Sequence, residues 1–224
     1  MAKKQQVQAT STEQVALQSE AFFEKHKKAI IIVVAVLIVL VAGIYSYHTL
    51  VVKPNREKAA TALAKGQEYF ANGNFDVALQ GDKRGYAGFL NLIKKYSGTP
   101  SANLAKLYAG LSYAQKGDTK NAIKYLEDFS SKGDHMISPA ALGALGNCYA
   151  RDGQIDKAIS TLKKAADKAS NATLSPTFLM QAGQLLESQG KTAEANALYK
   201  QAKTKYPRSP EVQEIEKLLE RTAQ

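Results

Sequence analysis

The side chains able to do chemistry are few and scattered. His26, His48 and His135 are the three histidines, and Cys148 is the one cysteine. They share no metal-ligand spacing of the kind that zinc requires. A single cysteine excludes an intramolecular disulfide and a Cys-x2-Cys site. The chain has no Gly-x-Ser-x-Gly elbow, no Gly-rich phosphate loop and no His-Glu-x-x-His pair. Gly81-Asp82-Lys83-Arg84-Gly85 offers one carboxylate, too few for calcium. The other Asp and Glu residues fall at helical positions that read as solvated faces. The expectation is a protein with no catalytic residues, no metal and no small-molecule cofactor.

What the chain does carry is a recurrent signature. Its clearest copy has Gly146, then Tyr149, Gly153, Ala158 and Ala165. The fourth copy has Gly183, Leu186, Gly190, Ala195 and Ala202, closing on Pro207; the second has Gly110, Tyr113, Gly117 and Ala122; the first has Gly66, Tyr69, Gly73 and Ala78. A period in the mid-thirties with small, aromatic, Gly and Ala positions looks like the tetratricopeptide (TPR) pattern. Each repeat would be an antiparallel pair of helices, A and B. The first Gly and the Ala mark close approach of two helix axes, the aromatic fills the space beside them, and the second Gly ends helix A in a left-handed conformation. One hairpin cannot bury its apolar face alone, so neighbours must stack.

The predicted organisation is all-α, with repeats at about 59–100, 101–137, 139–174 and 176–208 and a capping helix at 209–224. The step from Gly66 to Gly110 is 44 residues, against 36 and 37 for the next two, so the first repeat carries an insert at Gln80–Gly85. Ser138-Pro139 and Ser175-Pro176 read as an N-cap and first-turn proline for the third and fourth A helices. Val212, Ile215, Leu218 and Leu219 give the last helix one apolar face, as a solenoid cap requires. Cys148, in the third A helix, reads as a small core residue.

Residues 1–28 read as a polar tail. Residues 29–52 carry no formal charge and would extend roughly 36 Å as a helix, enough to cross a bilayer. Lipid forces the backbone to satisfy its own hydrogen bonds, so helix prevails over the β-branched composition. Tyr45 and Tyr47 suit the far interface. The run exceeds a signal-peptide core and no small-x-small cleavage site follows, which favours an uncleaved anchor. Lys25, Lys27 and Lys28, with His26 among them, abut the run on one side and Lys53, Arg56 and Lys58 on the other; this modest contrast leans toward an N-terminus in the cytoplasm and residues 53–224 outside.

Residues 53–224 hold 25 basic and 17 acidic side chains, a net +8 within a chain total of +10. With no Arg stripe interleaved with aromatics, this reads as a basic soluble surface rather than a nucleic-acid site. Binding of proteins or peptides is the natural use of such an array. By register, the concave face lined by the A helices would present Gln67, Phe70, Leu111, Gln115, Asn147, Arg151, Gln184 and Glu187. TPR co-chaperones hold a peptide carboxylate with a Lys–Asn pair on the first helix. The matching residues here are Leu63 and Gln67, so that clamp is missing.

Phe22-Phe23-Glu24-Lys25-His26-Lys27-Lys28 directly before one span, then Lys94–Ala102 and Ala105–Gly110 within the repeats, resemble the YfgM-type family of bacterial membrane-anchored TPR proteins. The resemblance implies a single-pass inner-membrane protein with a periplasmic TPR domain. It also implies partners among the SecYEG translocon, periplasmic chaperones and exported proteins. A scaffold for cell-envelope assembly, or an organelle import receptor with a cytosolic TPR domain, are the alternatives.

Overall fold

The computed structural model describes the backbone of residues 11–222 and the side chains of residue 22 and of 24–222. Residues 1–10 of the expected tail and residues 223–224 of the expected cap lie outside it. Every regular element among the described residues is helical. The chain divides into two compact units, residues 1–54 and 55–224.

In the first unit, α1 (Ser11–Tyr47) passes into a π-helical turn at His48–Val52. Ile31, Leu37, Leu40 and Ile44 are all exposed. This helix is long and apolar enough to cross a membrane, and none of its apolar stretch is buried within the protein. Within it, the Thr49 hydroxyl donates to the Tyr45 carbonyl at 2.8 Å, so this polar group makes no demand on its surroundings.

The second unit is a row of helical hairpins. They are α2 (Lys53–Ala71) with α3 (Phe75–Gln80) and α4 (Gly88–Lys95), α5 (Pro100–Gln115) with α6 (Thr119–Glu127), α7 (Ile137–Arg151) with α8 (Ile155–Ala169), and α9 (Ser175–Ser188) with α10 (Thr192–Lys205). The closing helix is α11 (Val212–Thr222), with Ile215 and Leu218 buried and Glu214, Lys217 and Glu220 in water. The core runs on from hairpin to hairpin. One cluster joins Leu162 of α8, Leu179 of α9, Tyr199 of α10 and Ile215 of α11. No hairpin buries its apolar face alone, which is the physical basis of the array.

The spacing of the signature has a hydrogen-bonding cause. The residue after each turn glycine donates back to the carbonyl of the signature's aromatic position: Asn74 to Tyr69, Asp118 to Tyr113, Gln154 to Tyr149 and Lys191 to Leu186, all at 2.9 Å. This is a Schellman closure, which demands a left-handed residue between. Gly73, Gly117, Gly153 and Gly190 supply it with φ between 74° and 79°. The Ala positions Ala78, Ala122, Ala158 and Ala195 are all fully buried. A Cβ at Gly110 would lie 2.6 Å from Leu126 Cγ, and one at Gly146 would lie 2.8 Å from Leu162 Cγ. The helices therefore do approach where the pattern requires.

Two local expectations change. Ser138 and Ser175 do not cap their helices. Ahead of α7, Asp134 Oδ1 accepts the backbone N–H groups of Met136 and Ser138, each at 3.0 Å, and Oδ2 accepts the Ser138 hydroxyl at 2.5 Å. A carboxylate is the stronger acceptor and displaces the hydroxyl from the capping role. Ahead of α9, Asn171 Oδ1 accepts from Thr173 and Leu174, while the Ser175 hydroxyl turns back to the Ala166 carbonyl at 2.8 Å.

The insert breaks the first B helix into α3 and α4. Its loop closes on Asp82, which accepts the Tyr69 hydroxyl and the backbone N–H groups of Tyr86 (2.9 Å) and Arg84 (2.7 Å). These donors, the Tyr69 hydroxyl foremost, hold the Asp82 carboxyl at about 2. Tyr86 is buried, and its hydroxyl donates to the Ala78 carbonyl at 2.8 Å.

Candidate functional site

The eight A-helix positions divide by what they already touch. Gln115, Asn147 and Gln184 are positioned by α5, α7 and α9, and Gln67 by α2. Gln115, Asn147 and Gln184 are exposed, while Gln67 is partly open to water. Gln67, Asn147 and Gln184 each directly follow a signature glycine. Such amides offer donors and acceptors without a net charge, which suits main-chain recognition of a peptide.

The other four are engaged within the protein. Phe70 packs edge-on against Phe75 and Tyr108, with ring centroids 5.5 and 5.3 Å away. Leu111 packs against the cluster containing Leu107, Leu126 and Leu145. Arg151 Nη1 donates to the Ala114 carbonyl at 3.1 Å, near the end of α5. Glu187 accepts from the Tyr199 hydroxyl at 2.6 Å and from Arg221 of α11 at 2.8 and 3.2 Å. The Arg221 guanidinium holds the Glu187 carboxyl below its ordinary range, with the Tyr199 hydroxyl assisting. Burial, and then the carboxylate, push the Tyr199 hydroxyl up.

Glu187 thus joins the last full repeat to the cap. Glu187→Gln is expected to cost about 1 kcal/mol, since three charge-assisted bonds are weakened at a partly exposed site. A lowered carboxyl contributes stability above its unfolded pKa and loses it as pH falls. The difference between wild type and Glu187→Gln should therefore be full at neutral pH and shrink below the ordinary carboxylate range. Thermal melts of both proteins across acid pH check this; a pH-independent difference would refute it.

Cys148 is buried in α7, and burial pushes its thiol up, away from the reactive thiolate. Among the described residues, no three His, Cys, Asp or Glu side chains gather to hold a metal.

One feature had no sequence signal. Arg56 of α2, Asn103 and Lys106 of α5, and Asp128 and Lys132 beyond α6 line a cavity of about 550 Å³. These residues are far apart in the chain, and only the return of successive hairpins gathers them.

A model of the tetratricopeptide repeat-like domain matches residues 20–220. The chain belongs to that family. Two solved structures resemble it: the nearly identical TPR-like repeats of a Podosopora anserina protein assigned as a kinesin light chain, and a single-substitution variant of the same repeats. Each is 17% identical with a TM-score of 0.55; the matches cover 75% of this chain and 86% and 85% of those chains. At that identity the likeness concerns the TPR fold alone. The search of curated proteins found no match. The TPR fold is typically a non-enzymatic scaffold for protein–protein interaction.

Proposed function

We propose that the chain is a non-enzymatic adaptor of the YfgM-like kind, anchored in a bacterial inner membrane by residues 29–52. In this reading the N-terminus is cytoplasmic and the TPR domain is periplasmic. Its partners are exported chains, periplasmic chaperones or the SecYEG translocon. The observation that carries the proposal is the pairing of an apolar helix whose side chains find no cover within the protein with a TPR array. Roughly 20 apolar residues in water would be a severe solubility burden, and a bilayer removes it. Lys25, Lys27 and Lys28 before the span are matched by Lys53, Arg56 and Lys58 after it, so the orientation rests on the YfgM-like resemblance rather than on charge.

Asn147 is the position from which to test it, being exposed and carrying no internal side-chain bond among the described residues. A photo-crosslinking amino acid at Asn147 in living cells, followed by mass spectrometry, is expected to capture translocon subunits, periplasmic chaperones or secretory chains. Capture of envelope-assembly factors alone would move the partner assignment to that machinery. Capture of cytosolic proteins alone would overturn both orientation and function.

A further inference from the structure

The cavity between α2, α5 and the α6–α7 connection has an unbalanced charge. Lys106 Nζ lies 2.9 Å from Asp128 Oδ2 and also donates to the Asp128 carbonyl at 3.2 Å. That pair neutralises itself and leaves Arg56 and Lys132, both exposed, as two uncompensated cations on the cavity wall. The wall is fixed in place. The Asn103 amide grips the backbone of Ser130 from both sides, donating to its carbonyl and accepting from its N–H, each at 2.8 Å. Thr99 completes the rim, its hydroxyl donating to the Tyr96 carbonyl at 2.8 Å and accepting from the Ala102 N–H at 3.1 Å. The volume is in the range of small-molecule sites.

Covalent reach says which anions are near. Arg56 follows Val52, the last residue of the uncharged run, by four residues. A fully extended chain of four residues spans at most about 14 Å. The headgroup layer of a bilayer is roughly 5–8 Å deep on each side of the hydrocarbon. With residues 29–52 in the bilayer, Arg56 stands in the headgroup layer or a few ångström beyond it. Residues 53–58 add Lys53 and Lys58 against the single acid Glu57.

We propose that this cavity seats the phosphate headgroup of an anionic phospholipid from the adjoining leaflet, with Arg56 and Lys132 as its cationic contacts. The inference rests on the membrane-anchor reading above. Basic juxtamembrane groups are attracted to anionic lipid over about a Debye length, and a fixed cavity adds geometry to that attraction. The lipid would then hold the first two repeats at the membrane surface and leave the amides of α7 and α9 free for partners.

The test uses the full chain in nanodiscs of phosphatidylcholine alone or of phosphatidylcholine mixed with phosphatidylglycerol. The readout is hydrogen exchange of residues 97–106 and 128–132. Exchange is expected to slow several-fold in the anionic discs. Arg56→Gln with Lys132→Gln should abolish that slowing. Lys163→Gln with Lys164→Gln, which removes two exposed charges from α8, should preserve it. Equal exchange in both kinds of disc would overturn the proposal. So would equal slowing by inorganic phosphate added to neutral discs, which would make the cavity a free-phosphate site, and so would slowing that survives Arg56→Gln with Lys132→Gln. A chain that does not co-elute with the discs sinks the anchor reading and this inference with it. Co-elution with unchanged exchange sinks this inference alone.

Discussion

Gly88→Ala is expected to unfold the first repeat and leave the rest of the array standing. Gly88 opens α4 with φ of +86°, where an L side chain costs about 1–2 kcal/mol. The new Cβ would also collide with the Leu79 carbonyl, and would lie 2.5 Å from the Gln80 carbonyl carbon and 2.6 Å from Gly81 N. These are backbone atoms, which cannot swing aside, and overpacking of this kind adds about 1–3 kcal/mol. The total is about 3 kcal/mol, enough to open a repeat whose contacts are chiefly with itself and one neighbour. Gly85→Ala separates the two causes. Gly85 has φ of +105°, but a Cβ added there would meet nothing within 4 Å, so about 1 kcal/mol is expected. Hydrogen exchange of the full chain in detergent should show α2–α4 losing protection in Gly88→Ala while α9–α11 keep theirs. Equal effects of the two substitutions, or uniform loss along the array, would refute the argument.

The second large effect is expected at Gly183→Ala. A Cβ there would run into the Tyr199 ring, lying 2.7 Å from Cζ and 3.0 Å from Cδ1. Tyr199 is fully buried and pinned at its far end by Glu187, so the ring has nowhere to go. A cost of about 3 kcal/mol is expected. Gly146→Ala meets the aliphatic side chain of Leu162 instead and should cost about half as much. Tyr199→Phe releases the pinned end and alone should cost about 1 kcal/mol. Combined with Gly183→Ala it should cost less than the sum by about 1 kcal/mol, because the unpinned ring can shift. Urea unfolding of the four proteins of this cycle measures the coupling. Strict additivity would show that the hydroxyl anchor does not hold the ring.

These two glycines illustrate what a sequence can and cannot disclose. Gly183 was legible, because its Ala and turn-Gly companions recur at fixed spacing in four copies. Gly88 was not, since it lies just past the insert and its partners are backbone atoms at the end of α3, where the insert breaks the helix as in no other repeat. The same division runs through the A-helix positions. Asn147, Gln184 and Gln67 are readable as recurrent polar sites. That Glu187 is spoken for by Arg221, and Arg151 by the Ala114 carbonyl, depends on contacts 34 and 37 residues away that no local pattern encodes. Ser138 and Ser175 misled for a related reason. A Ser-Pro pair is a good local cap, but Asp134 and Asn171 stand a few residues upstream and supply better acceptors.

The solitary cysteine has a practical consequence. Cys148 is sealed in the third repeat beside Ala158 and Leu145, and it is the only thiol in the chain. A thiol-specific reagent can reach it only when that repeat opens. Labelling rate in mild denaturant therefore clocks the breathing of one repeat in the unmodified protein, without an introduced probe.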